Sequence, residues 1–139
     1  MIWAEAEVCA EFYDIDPMQV VWHGNYVRFL EVGRKALLES LDYGYEQMRA
    51  SGWSFPVVDL RLRYVKPAVL GQRLRVRASL AEWENRLVID YEIRDASSAQ
   101  LLTKASTTQV AVSAATGELS FACPGDWVAR VERAGGQGA

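Results

Sequence analysis

Two carboxylates stand two residues apart in Tyr13-Asp14-Ile15-Asp16-Pro17. An apolar run, Val20-Val21-Trp22, and a polar one, His23-Gly24-Asn25, follow them. A carboxylate held against apolar surface can act as a nucleophile or a general base. If a helix begins just beyond, at Asn25-Tyr26, its first N–H groups and the positive end of its dipole can stabilise an oxyanion or a polarised carbonyl. The same aspartates could instead serve only in turn and cap hydrogen bonds. Spacing leaves both readings open.

The remaining chemistry-bearing residues narrow the field. His23 is the one histidine, so zinc sites built on two or three histidines and relays using a histidine pair are excluded. A Ser-His-Asp triad would have to use His23, and no metal is expected. The sequence contains no G-x-S-x-G, G-x-x-x-x-G-K-[ST] or G-x-G-x-x-G. Fifteen basic against 18 acidic residues, a net charge of -3, give no reason to expect nucleic acid or an anionic membrane as partner. Cys9 and Cys123 form no C-x-x-C and read as two buried thiols in a reducing cytosol. The opening MIWAEAEVCAEFYD lacks the basic flank and apolar core of a signal peptide. No apolar run approaches the ~18 residues of a membrane span. A cytoplasmic protein is expected.

The elements that must position the loop can be read from periodicity. The length, 139 residues, suits one domain over 1–139, with a flexible tail from about 134. Ala4, Ala6, Val8, Ala10 and Phe12 alternate with Glu5, Glu7 and Glu11, which predicts a half-buried strand over 3–13. Residues 14–24 are a Pro- and Gly-punctuated loop. Tyr26, Phe29, Leu30, Gly33, Leu37, Leu38 and Leu41 recur at spacings of three and four, predicting a helix over about 25–42 with a wide apolar stripe and Asn25 as a plausible N-cap. A short helix over Tyr45–Ser51 follows Gly44. Strands are expected over 60–66, 73–80, 87–94 and 101–113, and a short helix near Trp127–Glu132. Four consecutive strands predict an antiparallel meander, and one long helix against it an α+β domain.

The residues Asp16 to Tyr26, D-P-M-Q-V-V-W-H-G-N-Y, and Val27 to Arg34, V-R-F-L-E-V-G-R, resemble the opening motif of the 4-hydroxybenzoyl-CoA thioesterase family of hotdog-fold acyl-CoA thioesterases. Val21, Asn25, Tyr26, Arg28, Glu31 and Arg34 fit its pattern, as does the later Y-x-x-P-A at Tyr64 to Ala68. Many members carry Gly where this chain has Gln19. The resemblance implies the hotdog fold, an antiparallel five-stranded sheet wrapped around one long helix. It also implies hydrolysis of an acyl- or aryl-CoA thioester, or of an acyl carrier protein thioester.

By the same resemblance, Asp16 is the catalytic carboxylate, attacking the thioester carbonyl directly or activating water. The oxyanion donor is the backbone amide of His23 or Gly24. Coenzyme A belongs to the substrate, so no cofactor is implied. A homodimer with active sites at its interface is implied, with dimers pairing into tetramers. The basic pair that holds CoA phosphates in hydroxybenzoyl-type members is reduced here to Arg86, after Glu82-Trp83-Glu84-Asn85.

Other residues keep more than one reading. His23 can hydrogen-bond substrate or order the loop, protonate the leaving thiolate, or be an ordinary loop histidine. Asn25 is either the helix cap or a water-positioning group. Trp22 and Tyr26 read as pocket wall or core. Phe55, Val57 and Val58 could line the acyl pocket, and Lys66 is a further phosphate candidate. Arg61, Arg63, Arg73, Arg75 and Arg77 form a stripe that is either a solvated face or a contact for CoA or an acidic carrier protein. Two alternative functions stand beside the thioesterase: a hotdog dehydratase using His23 on hydroxyacyl thioesters, and a binding module without turnover.

Overall fold

A computed structural model describes residues 1–135. The chain opens with β1 (Trp3–Cys9) and closes the loop before the long helix with two single 3-10 turns, Phe12–Asp14 and His23–Asn25. Helices α1 (Tyr26–Ser40) and α2 (Tyr45–Ser51) follow, then β2 (Trp53–Ser54), β3 (Val57–Tyr64), β4 (Arg73–Glu82), β5 (Leu87–Asp95), β6 (Leu101–Gln109), β7 (Ala111–Ser113), β8 (Leu119–Ser120) and α3 (Gly125–Arg133). Of the expected tail, Ala134 and Gly135 follow α3, and residues 136–139 lie outside the described residues.

The main sheet is antiparallel throughout, in the order β1-β4-β5-β6-β3. Its core face comes from alternation: Leu74, Val76, Ala78 and Leu80 on β4, and Leu87, Ile89, Tyr91 and Ile93 on β5, are all buried. Helix α1 lays Tyr26, Phe29, Leu30, Gly33, Leu37 and Leu38 against that face. The approach is closest at Gly33, where an added Cβ would stand 2.7 Å from Val76 Cγ1. A second aromatic cluster, Tyr43, Phe55 and Trp127, seals the far end. There the Trp127 indole N–H donates to the Trp83 carbonyl at 3.0 Å.

The expected four-strand meander is corrected. Only β4, β5 and β6 run as neighbours; β3 lies beyond β6, at the edge opposite β1. Residues 65–72 make no hairpin turn. They cross the end of the sheet, with Val65 and Lys66 N–H on Leu102 and Gly71 N–H on the Ala10 carbonyl. That crossing carries the chain from one side of the sheet to the other. The last strand also breaks, at Val110, because β7 leaves the main sheet to pair with β2 and β8.

Three smaller expectations change. Phe12 is 77% exposed, because the chain leaves β1 at Ala10 and turns at once into the first 3-10 turn. Cys9 is exposed while Cys123 is buried, and both are free thiols. Two of the five stripe arginines are paired from β1, Arg73 with Glu7 and Arg77 with Glu5, on a strand other than the one expected to face them. Arg61 pairs with Asp59.

Because Val76 is fully buried and stiff at its β-branch, it cannot swing aside from a new methyl group. Overpacking of ~1–3 kcal/mol, less up to ~1 kcal/mol of better helix propensity, sets the expectation that Gly33→Ala lowers stability by about 1–2 kcal/mol. Urea titration checks this, and adding Val76→Ala should give a double mutant less destabilised than the sum of its parts.

Candidate active site

The loop between β1 and α1 is a small hairpin. Ile15 bridges Val21, Asp16 N–H donates to the Val20 carbonyl at 2.9 Å, and Gln19 N–H to the Asp16 carbonyl at 3.0 Å. Pro17 takes the turn position that its fixed φ suits. Gln19 follows in the left-handed region at φ 70°. A tight turn followed by one left-handed residue is the usual three-residue hairpin loop, and glycine is the residue it favours there. The loop therefore keeps the glycine-type conformation with glutamine in place, at a backbone cost of about 1–2 kcal/mol.

The two carboxylates have separate surroundings. Asp14 is 2% exposed. One of its oxygens accepts from Glu11 N–H at 2.9 Å, and the other receives the Arg28 guanidinium from the first turn of α1. Its carbonyl accepts from Trp22 N–H at 2.9 Å and from Asn25 Nδ2 at 3.0 Å. Every bond at Asp14 ties the loop to itself or to the helix. Asp16 is only partly buried; Oδ1 accepts from Met18 N–H at 2.8 Å, and Oδ2 has no partner among the described residues.

Asp16 borders a cavity of about 240 Å3, lined also by Met18, Val20, Val21, His23, Tyr26, Tyr64, Val65, Lys66 and Pro67. Tyr26, at the first position of α1, is buried, and its hydroxyl accepts from Ala68 N–H at 3.0 Å. Burial raises its pKa, so it stays a neutral phenol. Tyr64 reaches back from β3 and donates its hydroxyl to the His23 carbonyl at 2.7 Å, which fixes the turn that starts the helix. The Trp22 indole lies over Gly24, where an added Cβ would fall 2.4 Å from the ring. Lys66, exposed at the rim, bonds Gln100 at 3.2 Å.

The arrangement sets a carboxylate oxygen, a 3-10 turn leading into a 15-residue helix and an apolar wall around one opening. Such a site can deliver a nucleophile to a carbonyl and meet the developing negative charge with backbone N–H groups. Among the described residues no cluster of His, Cys, Asp and Glu could hold a metal. No helix there is long and apolar enough to cross a membrane.

Asp16, His23, Tyr26 and Lys66 thus meet at one cavity, with Trp22 and Gly24 in the turn beside it. Asn25 is corrected on its capping reading. It already has helical dihedrals, φ -74° and ψ -16°, and makes no side-chain cap bond. Its amide is spent on the Asp14 carbonyl, because the 3-10 turn starts the helical path before Asn25. Arg86 is not brought to Asp16 in one chain. It pairs with Glu82 in the β4–β5 turn, next to Leu87, which is in register with Gln109 and, beyond that, Val57. Tyr64 is at the other end of β3, seven residues or about 23 Å away. Phe55 lines a larger cavity of about 610 Å3, between α1, α2 and β2, together with Trp53 and Gln109. Val57 and Val58 are exposed on β3 and line neither cavity. Sequence reasoning missed Tyr64 as a site residue, although Y-x-x-P-A marks it. It also missed Arg28 as the partner of Asp14.

The profile of the thioesterase-like superfamily matches residues 10–131, which spans both cavities. The chain belongs to that superfamily. YneP of Bacillus subtilis is 30% identical over 110 residues, covering 78% of this chain and 79% of YneP. The crystal structure of DHNA-CoA thioesterase from Staphylococcus aureus superposes with a TM-score of 0.85 at 27% identity, covering 97% of this chain and 92% of that one. An Asp-to-Asn mutant of 4-hydroxybenzoyl-CoA thioesterase, complexed with 4-hydroxybenzoyl-CoA, superposes with a TM-score of 0.81 at 19% identity over 94% of this chain and 99% of that one, a likeness of fold. The expected hotdog fold and enzyme class, thioester hydrolysis, stand on this membership.

If Asp14 is the anchor and Asp16 the free group, their variants should separate. Asp14→Asn, which weakens a buried charge-assisted bond, is expected to cost about 2 kcal/mol of stability. Asp16→Asn should unfold within ~0.5 kcal/mol of the parent in the same urea titration. Equal losses would undo the division.

Proposed function

We propose that this thioesterase-like protein hydrolyses an acyl- or aryl-CoA thioester, or its carrier-protein counterpart, to free acid and thiol. The observation that carries this reading is that Asp16, whose Oδ2 has no partner among the described residues, lines the same cavity as Tyr26 at the start of α1, while both carboxylate oxygens of Asp14 are occupied elsewhere. The carbonyl oxygen is polarised by the amide of His23 or Gly24, at the positive end of the helix. Asp16 attacks the carbonyl carbon, or takes a proton from the water that does. Either step gives a tetrahedral intermediate that collapses with loss of the thiolate; water attack yields the free acid at once, whereas direct attack leaves a mixed anhydride on Asp16 that a water then hydrolyses to the free acid and the original carboxylate. Tyr64 holds the His23 carbonyl and so keeps the donor turn in place. Lys66, whose ammonium stands at the rim, is placed for a phosphate of coenzyme A.

Asp16→Asn is expected to fold normally and lose at least about a hundredfold in kcat, the scale of a positioned acid–base group. Thiol release from a panel of acyl-CoAs, followed with a thiol reagent, measures it. Near-full activity in that variant removes Asp16 from its role. Accumulation of an enoyl product dependent on His23 would favour the dehydratase reading, and tight binding without thiol release the binding module.

The assembly follows from the edge of the sheet. β3 pairs with β6 on one side only, and Val57, Val58, Leu60 and Tyr64 on it are all exposed. An unpaired edge of eight residues presents backbone N–H and C=O groups to a second strand. We infer that two copies pair antiparallel along β3. A two-fold axis between Leu60 and Arg61 sets Tyr64 beside Val57 of the second copy, so the smaller cavity of one subunit adjoins the larger cavity of the other. Sedimentation should show twice or four times the protomer mass, and Leu60→Lys should give protomers with little hydrolysis. A fully active wild-type protomer would rule the pairing out.

A further inference from the structure

The outer face of the main sheet carries cations that the chain leaves without carboxylates. Alternation on β4 and β5 turns Arg73, Arg75, Arg77, Glu92 and Arg94 away from the core. Register then fixes their neighbours. One row across the sheet reads Glu5, Arg77, Glu92, Lys104, Arg63, and the next, toward the β5–β6 turn, reads Glu7, Arg75, Arg94. Two like-charged pairs are directly opposed, Arg63 with Lys104 and Arg75 with Arg94, and such pairs are destabilising. The nearby carboxylates are engaged: Glu5 holds Arg77, Glu7 holds Arg73, and Glu92 holds Arg94 at 3.2 Å. Asp95 is turned onto Gln72, Ser97 and Ser98. Of the 15 basic residues, six have no carboxylate partner among the described residues, and Arg63, Lys66, Arg75 and Lys104 are four of those six. The chain is acidic overall, at -3, so this concentration is local.

The patch adjoins the candidate active site. Arg63 precedes Tyr64, which lines the smaller cavity, and Lys66 stands at the rim of that cavity with its N–H on the Leu102 carbonyl, two residues before Lys104. Its shape separates the anions that could meet it. Arg63, Arg75, Arg94 and Lys104 line neither cavity, whereas small-molecule sites are concave. From β3 to β4 these side chains cross three strand spacings, about 15 Å. That is wider than one diphosphate and matches a helix of about ten residues laid across the strands. An extended polyanion, such as RNA or an anionic membrane, would bring its charge against the acidic remainder of the chain. We propose that this face docks an acidic helix of an acyl carrier protein, so that the thioester on its phosphopantetheine arm enters the cavity at Asp16. The proposal rests on the thioesterase reading above and names the carrier. Pairing along β3 runs in the plane of the sheet and leaves this face uncovered.

Matched octanoyl and benzoyl thioesters of an acidic acyl carrier protein and of coenzyme A test it. Thiol release is followed at about 0.15 M salt, where a Debye length of ~8 Å confines the effect of a charge to its close neighbours. In the double variant Arg63→Glu, Lys104→Glu, kcat/KM on the carrier thioester should fall at least about tenfold, through KM, while the value for the matching acyl-CoA stays within about twofold of the wild type. Arg63→Thr, Lys104→Thr should show a smaller loss of the same kind, and it keeps the test alive if charge reversal prevents folding. A loss on the carrier thioester no greater than that on the acyl-CoA overturns the proposal, as does a wild type that releases thiol from acyl-CoA alone. Absence of thiol release from every thioester defeats the hydrolase reading instead. Calorimetric titration with the unacylated, phosphopantetheine-bearing carrier protein then decides the docking on its own. Binding that the double variant loses supports it, and absent or unchanged binding overturns it. Co-flotation with phosphatidylglycerol vesicles in place of carrier binding would assign the face to a membrane and overturn it equally.

Discussion

The buried carboxylate of Asp14 and the guanidinium of Arg28 hold the site together. The loop that carries Asp16 has little core of its own, and its tip residue, Met18, is 80% exposed. A segment so exposed would sample many conformations without a fixed anchor. Asp14 supplies that anchor at both ends of its residue, through the carboxylate to Glu11 and Arg28 and through the carbonyl to Trp22 and Asn25. Burying a charge is costly unless it is paired and hydrogen-bonded, and here it is both. Arg28 lies half in solvent, so the pair avoids the full desolvation cost of a wholly interior bridge. The Arg28 guanidinium also sits over the Phe29 ring, 5.0 Å from its centroid, which restrains the side chain further.

From that anchor the geometry propagates in two directions. Toward the N-terminus of α1, the 3-10 turn at His23–Asn25 is set by Asn25 on one side and the Tyr64 hydroxyl on the other. Toward the sheet, Tyr26 ties the helix start to Ala68, in the crossing segment that follows β3. The close contact of Gly33 with Val76 then lets the body of the helix lie low on β4. A displaced helix would move the donor turn and the carboxylate relative to one another. Close packing of the central strands is thus also a constraint on the chemistry.

What could be read from the sequence follows from how local each signal is. Helix α1 was legible within two residues at each end, since Tyr26, Leu30, Gly33 and Leu37 repeat on one face and depend only on neighbours along the chain. The alternations of β4 and β5 were legible for the same reason. The position of β3 was not, because nothing in Val57–Tyr64 says which edge it will join; the crossing of residues 65–72 decides that. The role of Asn25 was misread, because cap statistics assume an extended residue and the preceding 3-10 turn removes that condition. Asp16 was singled out by motif and resemblance, whereas its distinction from Asp14 needed the partners of each.

The fold carries two cavities where one reaction needs a single site. Within one protomer the cavities lie toward opposite ends of β3 and on different faces of α1, with Tyr26 on one and Glu31, Arg34 and Leu38 on the other. A thioester held at Asp16 could not extend into the larger cavity of the same chain without passing the helix. The antiparallel pairing proposed along β3 would remove that obstacle, because it exchanges the ends of the strand. Under that proposal one subunit would supply Asp16 and the turn before α1, and its neighbour the larger cavity. The two cavities are built separately: the loop that carries Asp16 is locked by Asp14 and Arg28, while the larger cavity lies between α1, α2 and β2.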